Sequence, residues 1–401
     1  MDLLLTLLLA AAVKDPGATL RAGCQADTSA VAQLPAGTAI TIRYSLSGES
    51  VPCYKVSVNS DGEPAEGYLT GPEIDGLETF DSARKKGGVV QIQEVLSAVI
   101  PPKAASGGAG SLAHQAASLI ESSRPAQALA LLEPEIKRRP DAGLLALAGA
   151  AAWRADDPKR ALDLWRQSQK LQPNQQVKEL MLRVERETQG DHSDQRLYGT
   201  RILLRYEGTA ITVDTAREMA AVLDGEYARI SAQLGCSGTE RIVTIAQSAS
   251  AYKKTTAAAE WSAGQYDGRI HVPVFDKGSL DANTRRTLAH ETVHACLTML
   301  GRWPAWLHEG IAQYISGQTL PAADRDQITQ LARAHKLPAL AKLDGDWSTM
   351  DAGSARVAYN LALRAIEIFQ QDFGAYGLRN LLKNPDKLPY YAGEIDRRFG
   401  L

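Results

Sequence analysis

Between Leu288 and Leu297 the chain reads LAHETVHACL, and the spacing of His290 and His294 leaves little freedom in how this stretch can fold. In a strand two such residues stand about 13 Å apart, whereas on a helix they are neighbours on one face. If the two imidazoles act together, the segment is helical. Asp281 or Asn283 can cap that helix, which runs through TRRTLAHETVHACLTML and stops at Gly301. Glu291 then lies about 100° round from His290, beside whatever the histidines hold rather than in line with them. Two imidazoles and an adjoining carboxylate are what a catalytic zinc site asks of one helix. A helix with two ordinary hydrogen-bonded histidines is the alternative, and these three residues alone do not separate the two.

A third ligand has to come from further along. The stretch RWPAWLHEGIAQYISG follows from Arg302 to Gly317, and Pro304 marks the start of a second helix. Fourteen residues separate His294 from Glu309, enough for the chain to turn and run back. A catalytic zinc takes three protein ligands and keeps one position open. By residue type His308 and Glu309 both qualify. Helix neighbours point about 100° apart, so only one of them can face the ion.

The two motifs together resemble the gluzincins, the thermolysin-like and aminopeptidase-like zinc metallopeptidases, and closest of all the peptidase MA-like group. That group follows His-Glu-x-x-His with Trp-Leu-x-Glu-Gly-x-Ala, and Trp306, Leu307, Glu309, Gly310 and Ala312 stand here in that register. The resemblance implies a Zn2+ held by His290, His294 and Glu309, with Glu291 as general base acting on a peptide or protein substrate. His308 would then be a rim, substrate or supporting contact. It also places Tyr359, in SARVAYNLALRAIEIF, where these proteins carry a tyrosine facing the metal. A packing tyrosine on an amphipathic helix is the other reading of Tyr359, and Tyr390 and Tyr391 are weaker candidates. GQYDGRIHVPV, residues 264–274, resembles the edge strand that gluzincins lay beside the substrate backbone, with His271 structural. No counterpart of the Gly-Ala-Met-Glu-Asn stretch that grips a free amino terminus is present, so endopeptidase action is the form implied. The metzincin pattern fails, because Leu297 and Leu300 occupy the places of its Gly and third His. The resemblance covers residues 197–401.

Upstream the texture differs. TAITIRYSL and YKVSV alternate, and turn chemistry separates them. Five short strands over residues 15–80 predict a small β-barrel, which resembles bacterial Src-homology-3-like domains through LPAGTAITI, CYKVSV and EGYLTGPEI. Residues 81–111 read as a helix and a Pro- and Gly-containing linker. An internal repeat of period 33 then pairs Pro125 with Pro158, Ala128 with Ala161, Leu129 with Leu162 and Pro140 with Pro173. Two helices per unit resemble tetratricopeptide repeats over 112–190, a surface for a protein partner or a rigid spacer. The expected fold class is therefore α+β and multi-domain: a small β-barrel, an α-helical repeat pair, and a thermolysin-like catalytic domain of small sheet plus helices.

The N-terminal apolar run from Leu3 to Val13 is too short to span a bilayer and matches the core of an export signal over residues 1–14. Asp2 and the lack of a basic residue before the run depart from that pattern, and a short buried helix is the alternative. Export to the periplasm or cell envelope is the expectation. None of the four cysteines forms a Cys-x-x-Cys pair. Cys24 and Cys53 share the β-rich segment and could be bridged, while Cys296 reads as core packing. A net charge of −2 without basic runs gives no footprint for nucleic acid. Two other functions stay open on the sequence: a non-catalytic peptide- or envelope-binding protein, and a zinc hydrolase of a non-peptide amide.

Overall fold

A computed structural model of the protein describes residues 11–24, 27–46, 53–60, 63–77, 108–256, 264–274, 280–344, 347 and 352–401. Residues 1–10 of the signal-like segment, and most of the helix and linker expected over 81–111, lie outside the described residues.

The N-terminal unit is one antiparallel sheet of seven strands. These are β1 (Ala11–Val13), β2 (Ala18–Arg21), β3 (Ala30–Leu34), β4 (Ala39–Leu46), β5 (Cys53–Ser60), β6 (Glu63–Thr70) and β7 (Ile74–Asp75). Alternation explains β5 and its neighbours: Tyr54, Val56 and Val58 pack inward with Leu20, Ile40 and Leu69. A disulfide joins Cys24 to Cys53. The strand order is β3-β2-β6-β5-β4-β1-β7, and the two end strands do not pair with each other among the described residues. The sheet is open, which corrects the barrel expected over 15–80. Alternation specifies strands and faces, but closure also needs a particular stagger and one more edge pairing. Here the edges are β7, two residues long, and β3, which is mostly exposed. Ala11–Val13, the end of the signal-like run, is the strand β1 between β4 and β7.

Five helices follow: α1 (Gly108–Glu121), α2 (Pro125–Arg138), α3 (Ala142–Arg154), α4 (Pro158–Leu171) and α5 (Gln175–Gly190). Pro125 and Pro158 each open a helix, where the missing N–H costs nothing. Asp141, Asp157 and Asn174 accept hydrogen bonds from the first turns of α3, α4 and α5. The helices share a core of alanines and leucines around Trp153 and Trp165.

The C-terminal unit has a second sheet, formed by β8 (Gln195–Tyr198), β9 (Ile202–Tyr206), β10 (Ile242–Ser248), β11 (Gln265–Tyr266) and β12 (Ile270–Val274). Its order is β11-β12-β10-β9-β8, with β9, β10 and β12 parallel and both edge strands antiparallel. Helices α6 (Val213–Leu234) and α7 (Ala249–Thr256) fill the connections within it. Helices α8 (Ala282–Leu300), α9 (Ala305–Ile315), α10 (Ala322–Arg333), α11 (Ala352–Lys383, broken by a kink at Gly374) and α12 (Leu388–Phe399) complete the unit over a common core. Among the described residues no helix is long and apolar enough to cross a membrane.

Candidate metal centre

Helix α8 begins where the Asp281 carboxylate accepts from the backbone N–H of Thr284, and it ends at Gly301. Its inward residues Leu288, Val293, Cys296 and Leu297 are buried, which fixes the rotation of the helix about its axis. A disulfide between Cys296 and Cys236, just beyond α6, ties the same helix down. Cys296 is thus half of a disulfide as well as the core residue expected from the sequence. The even cysteine count was the only signal of a partner 60 residues away.

Pro304 caps α9, and Trp306, Leu307 and Ile311 anchor that helix in the core. Gly310 lets α9 approach α11 closely, since a Cβ there would lie 2.4 Å from the carbonyl oxygen of Ala362. With α9 held so, Glu309 meets the two histidines of α8. His290 Nε2 lies 3.1 Å from His294 Nε2. Glu309 Oε2 is 3.3 Å from His290 Nε2, and Glu309 Oε1 is 3.6 Å from His294 Nε2. His290, His294 and Glu309 are the group of potential metal ligands found among the described residues.

The donor set fits zinc. Ligands about 2.0–2.1 Å from a tetrahedral ion are separated by about 3.3–3.4 Å, which is the scale of the three distances here. Two imidazole Nε2 atoms facing each other cannot both accept, so a proton or a cation has to lie between them. Glu309 Oε2 is also buried, with no hydrogen-bond partner among the described residues besides the His290 Nε2 that it faces at 3.3 Å. The charges agree with this. Burial pushes His294 down to about 3, with the charges of His290 and His308 adding to the shift and Glu309 opposing it. Burial likewise takes His308 down to about 4. Burial alone would raise Glu309, but His294 and His290 hold it below the usual carboxylate value. Burial also works against a charged His290, yet the hydrogen bond and charge of Glu309 raise it overall. At neutral pH His294 and His308 are uncharged and offer lone pairs.

Glu291 stands beside this trio on α8, buried and without an ion pair among the described residues. Burial pushes its carboxyl up to about 7; His290 opposes the shift and Glu309 adds to it. The backbone at Gly264 lies directly against it, because a Cβ there would come within 2.7 Å of Glu291 Oε1. That brings the start of β11, the sheet edge, up to the carboxylate.

His308 does not join the trio. Its Nδ1 faces Nδ1 of His294 at 3.4 Å, on the far side of that ring from Nε2, so Glu309 occupies the third position. Tyr359, on α11, packs edge-on against Trp347 with ring centroids 5.0 Å apart. Its backbone carbonyl accepts from Gln313 of α9 at 3.1 Å. Tyr391 belongs to an aromatic cluster with Phe369 and Phe373, and Tyr390 is largely exposed. His271 is buried, with Nε2 3.3 Å from Asp267.

Two histidines four apart on one helix, a carboxylate from the returning helix and a free carboxylate alongside define a zinc centre of gluzincin type. Comparison with models of known protein families and with curated proteins gives no match to this chain.

Proposed function

We propose that the protein is a zinc-dependent peptidase of the peptidase MA-like kind, acting within peptide chains. The observation that carries this is Glu291: a buried carboxylate, unpaired among the described residues and held near neutrality, one helix position from a zinc ligand. A zinc ion held by His290, His294 and Glu309 supplies Lewis acidity, acidifying water and polarising a carbonyl oxygen. Glu291 takes the proton from the attacking water and returns it to the leaving amine nitrogen. A carboxyl titrating near 7 suits both halves of that transfer. Tyr359 donates its hydroxyl to the developing oxyanion. Its backbone bond to Gln313 supports this role by fixing α11 against the helix that carries Glu309. The edge strand β11, which adjoins Glu291, receives the substrate backbone by strand addition.

The helical unit over 112–190 serves, in this reading, as a tetratricopeptide-like surface for a protein partner, and the protein acts outside the cytoplasm. Two disulfides support an oxidising compartment. The deciding experiment sets Glu291→Gln beside His294→Ala. The first is expected to keep about one zinc and lose peptide hydrolysis by several orders of magnitude, and the second to lose both. Undiminished hydrolysis by Glu291→Gln would sink the peptidase mechanism.

A further inference from the structure

We propose that His308 is a positioning residue of the zinc centre, holding His294 in the tautomer and orientation that metal binding requires. The proposal rests on the zinc reading of the site and adds a residue to it. His308 precedes Glu309 on α9, so the helix that supplies the third ligand also reaches behind the second. The two imidazoles approach through their Nδ1 atoms at 3.4 Å, with ring centroids 5.5 Å apart and planes tilted by 40°.

The tautomers follow from that geometry. His294 points Nε2 at His290 and Glu309, so as a ligand it must keep the Nε2 lone pair free and carry its proton on Nδ1. His294 Nδ1–H is then the donor and His308 Nδ1 the acceptor, which leaves the proton of His308 on its own Nε2. The separation is at the long end of the hydrogen-bond range. Loading Nε2 makes Nδ1–H a stronger donor. Ligating histidines usually make this bond to a carboxylate, a backbone carbonyl or water, and the partner fixes how the ring is presented. Here a second imidazole does so. His290 differs: its Nδ1 is buried and has no partner among the described residues. Of the two ligand histidines, His294 is therefore the one whose orientation a side chain sets.

The test measures zinc dissociation constants by competition with a chelating indicator, for wild type, His308→Ala, His308→Gln, His308→Leu and His294→Ala. His308→Ala is expected to bind zinc about 10–100-fold more weakly than wild type, the usual cost of losing such a partner. His308→Gln, whose amide oxygen can accept from Nδ1–H, is expected to recover most of the loss, and His308→Leu none of it. NMR of the zinc-loaded protein with labelled histidine reads the bond itself. The Nδ1–H resonance of His294 is expected to be protected from exchange in wild type and to lose that protection in His308→Ala. Zinc affinity in His308→Ala within about threefold of wild type, with the resonance still protected, overturns the proposal. Should the alanine variant lose stability, the Gln and Leu variants decide: equal affinities for the two also overturn it. A wild type without zinc would instead overturn the zinc centre, so the two failures are distinct. His294→Ala confirms that the measured zinc is the zinc of this site.

Discussion

Gly310 shows how a residue with no chemistry of its own places a ligand. A Cβ at that position would meet the Ala362 carbonyl oxygen at 2.4 Å and Ile366 Cγ1 at 2.8 Å, so α9 lies on α11 at glycine distance. Backbone cannot yield as the tip of a side chain can. Gly310→Ala should therefore push α9 outward, carrying Glu309 away from His290 and His294. Denaturant unfolding is expected to show a loss of about 1–3 kcal/mol, the usual cost of overpacking. Zinc should also bind more weakly, although all three ligands are intact. Lower stability with unchanged zinc affinity would mean that α9 absorbs the methyl without moving Glu309. Glu309→Ala makes the complementary case. His308 is the nearest spare imidazole, but its Nδ1 faces the back of His294, so it is expected not to restore zinc. A variant that still bound zinc tightly by elemental analysis would show that His308 can swing round.

At the scale of single elements, α8 is held by its Asp281 cap, its buried face and the bond from Cys296 to Cys236. Cys296 lies two residues beyond His294, so the disulfide braces the turn that carries a ligand. Replacing both cysteines by Ser removes a cross-link that closes a 60-residue separation. The expected loss is about 2–5 kcal/mol in unfolding free energy, with zinc affinity falling as α8 loosens. A double variant as stable as wild type would show that core packing alone fixes α8. What was legible in the sequence divides along the same line. His290, His294 and Glu309 could be placed because one helical spacing and one return helix bring them together. Helix starts at Pro125 and Pro158 are local chemistry as well. The Cys236–Cys296 pair, the contact of His308 with His294 and the open edge of the first sheet depend on where distant segments land. No short-range spacing encodes that, which is why alternation gave strands but a wrong closure.

At the scale of the whole molecule, side-chain contacts among the described residues tie both other units to elements that build the metal centre. Tyr68 of β6 donates its hydroxyl to Asp281, the cap of α8, at 3.1 Å. In the helical unit, α3 and α5 grip the turn between β11 and β12. Arg183 pairs with Asp267 at 2.9 Å, Arg269 pairs with Glu187 at 2.7 Å, and both guanidinium groups lie over the Trp153 ring. These charges are buried, so removing one partner leaves another without its counter-ion. Burial alone would raise both carboxyls. Arg269 outweighs it, with His271 and Arg183 also acting on Asp267, so Asp267 sits well below its ordinary 3.8 and Glu187 below its ordinary 4.5. Depressed carboxyls contribute stability that is complete above those ordinary values. It is lost as pH falls through the lowered ones, because the unfolded chain takes up protons that the folded chain refuses. The helical unit and the metal-bearing unit are thus expected to melt as one calorimetric transition at neutral pH, and the transition should fall in temperature below about pH 4.5. Asp267→Ala takes this carboxylate from both Arg183 and Arg269 and leaves Arg269 with Glu187 alone, at a cost of about 3–5 kcal/mol. The expected result at neutral pH is a split into two transitions, with the metal-bearing unit the one whose temperature responds to added zinc. A single undisplaced transition in that variant would mean that other contacts, such as Asp156 with Arg205 and Glu240 with the start of α2, suffice to couple the two units.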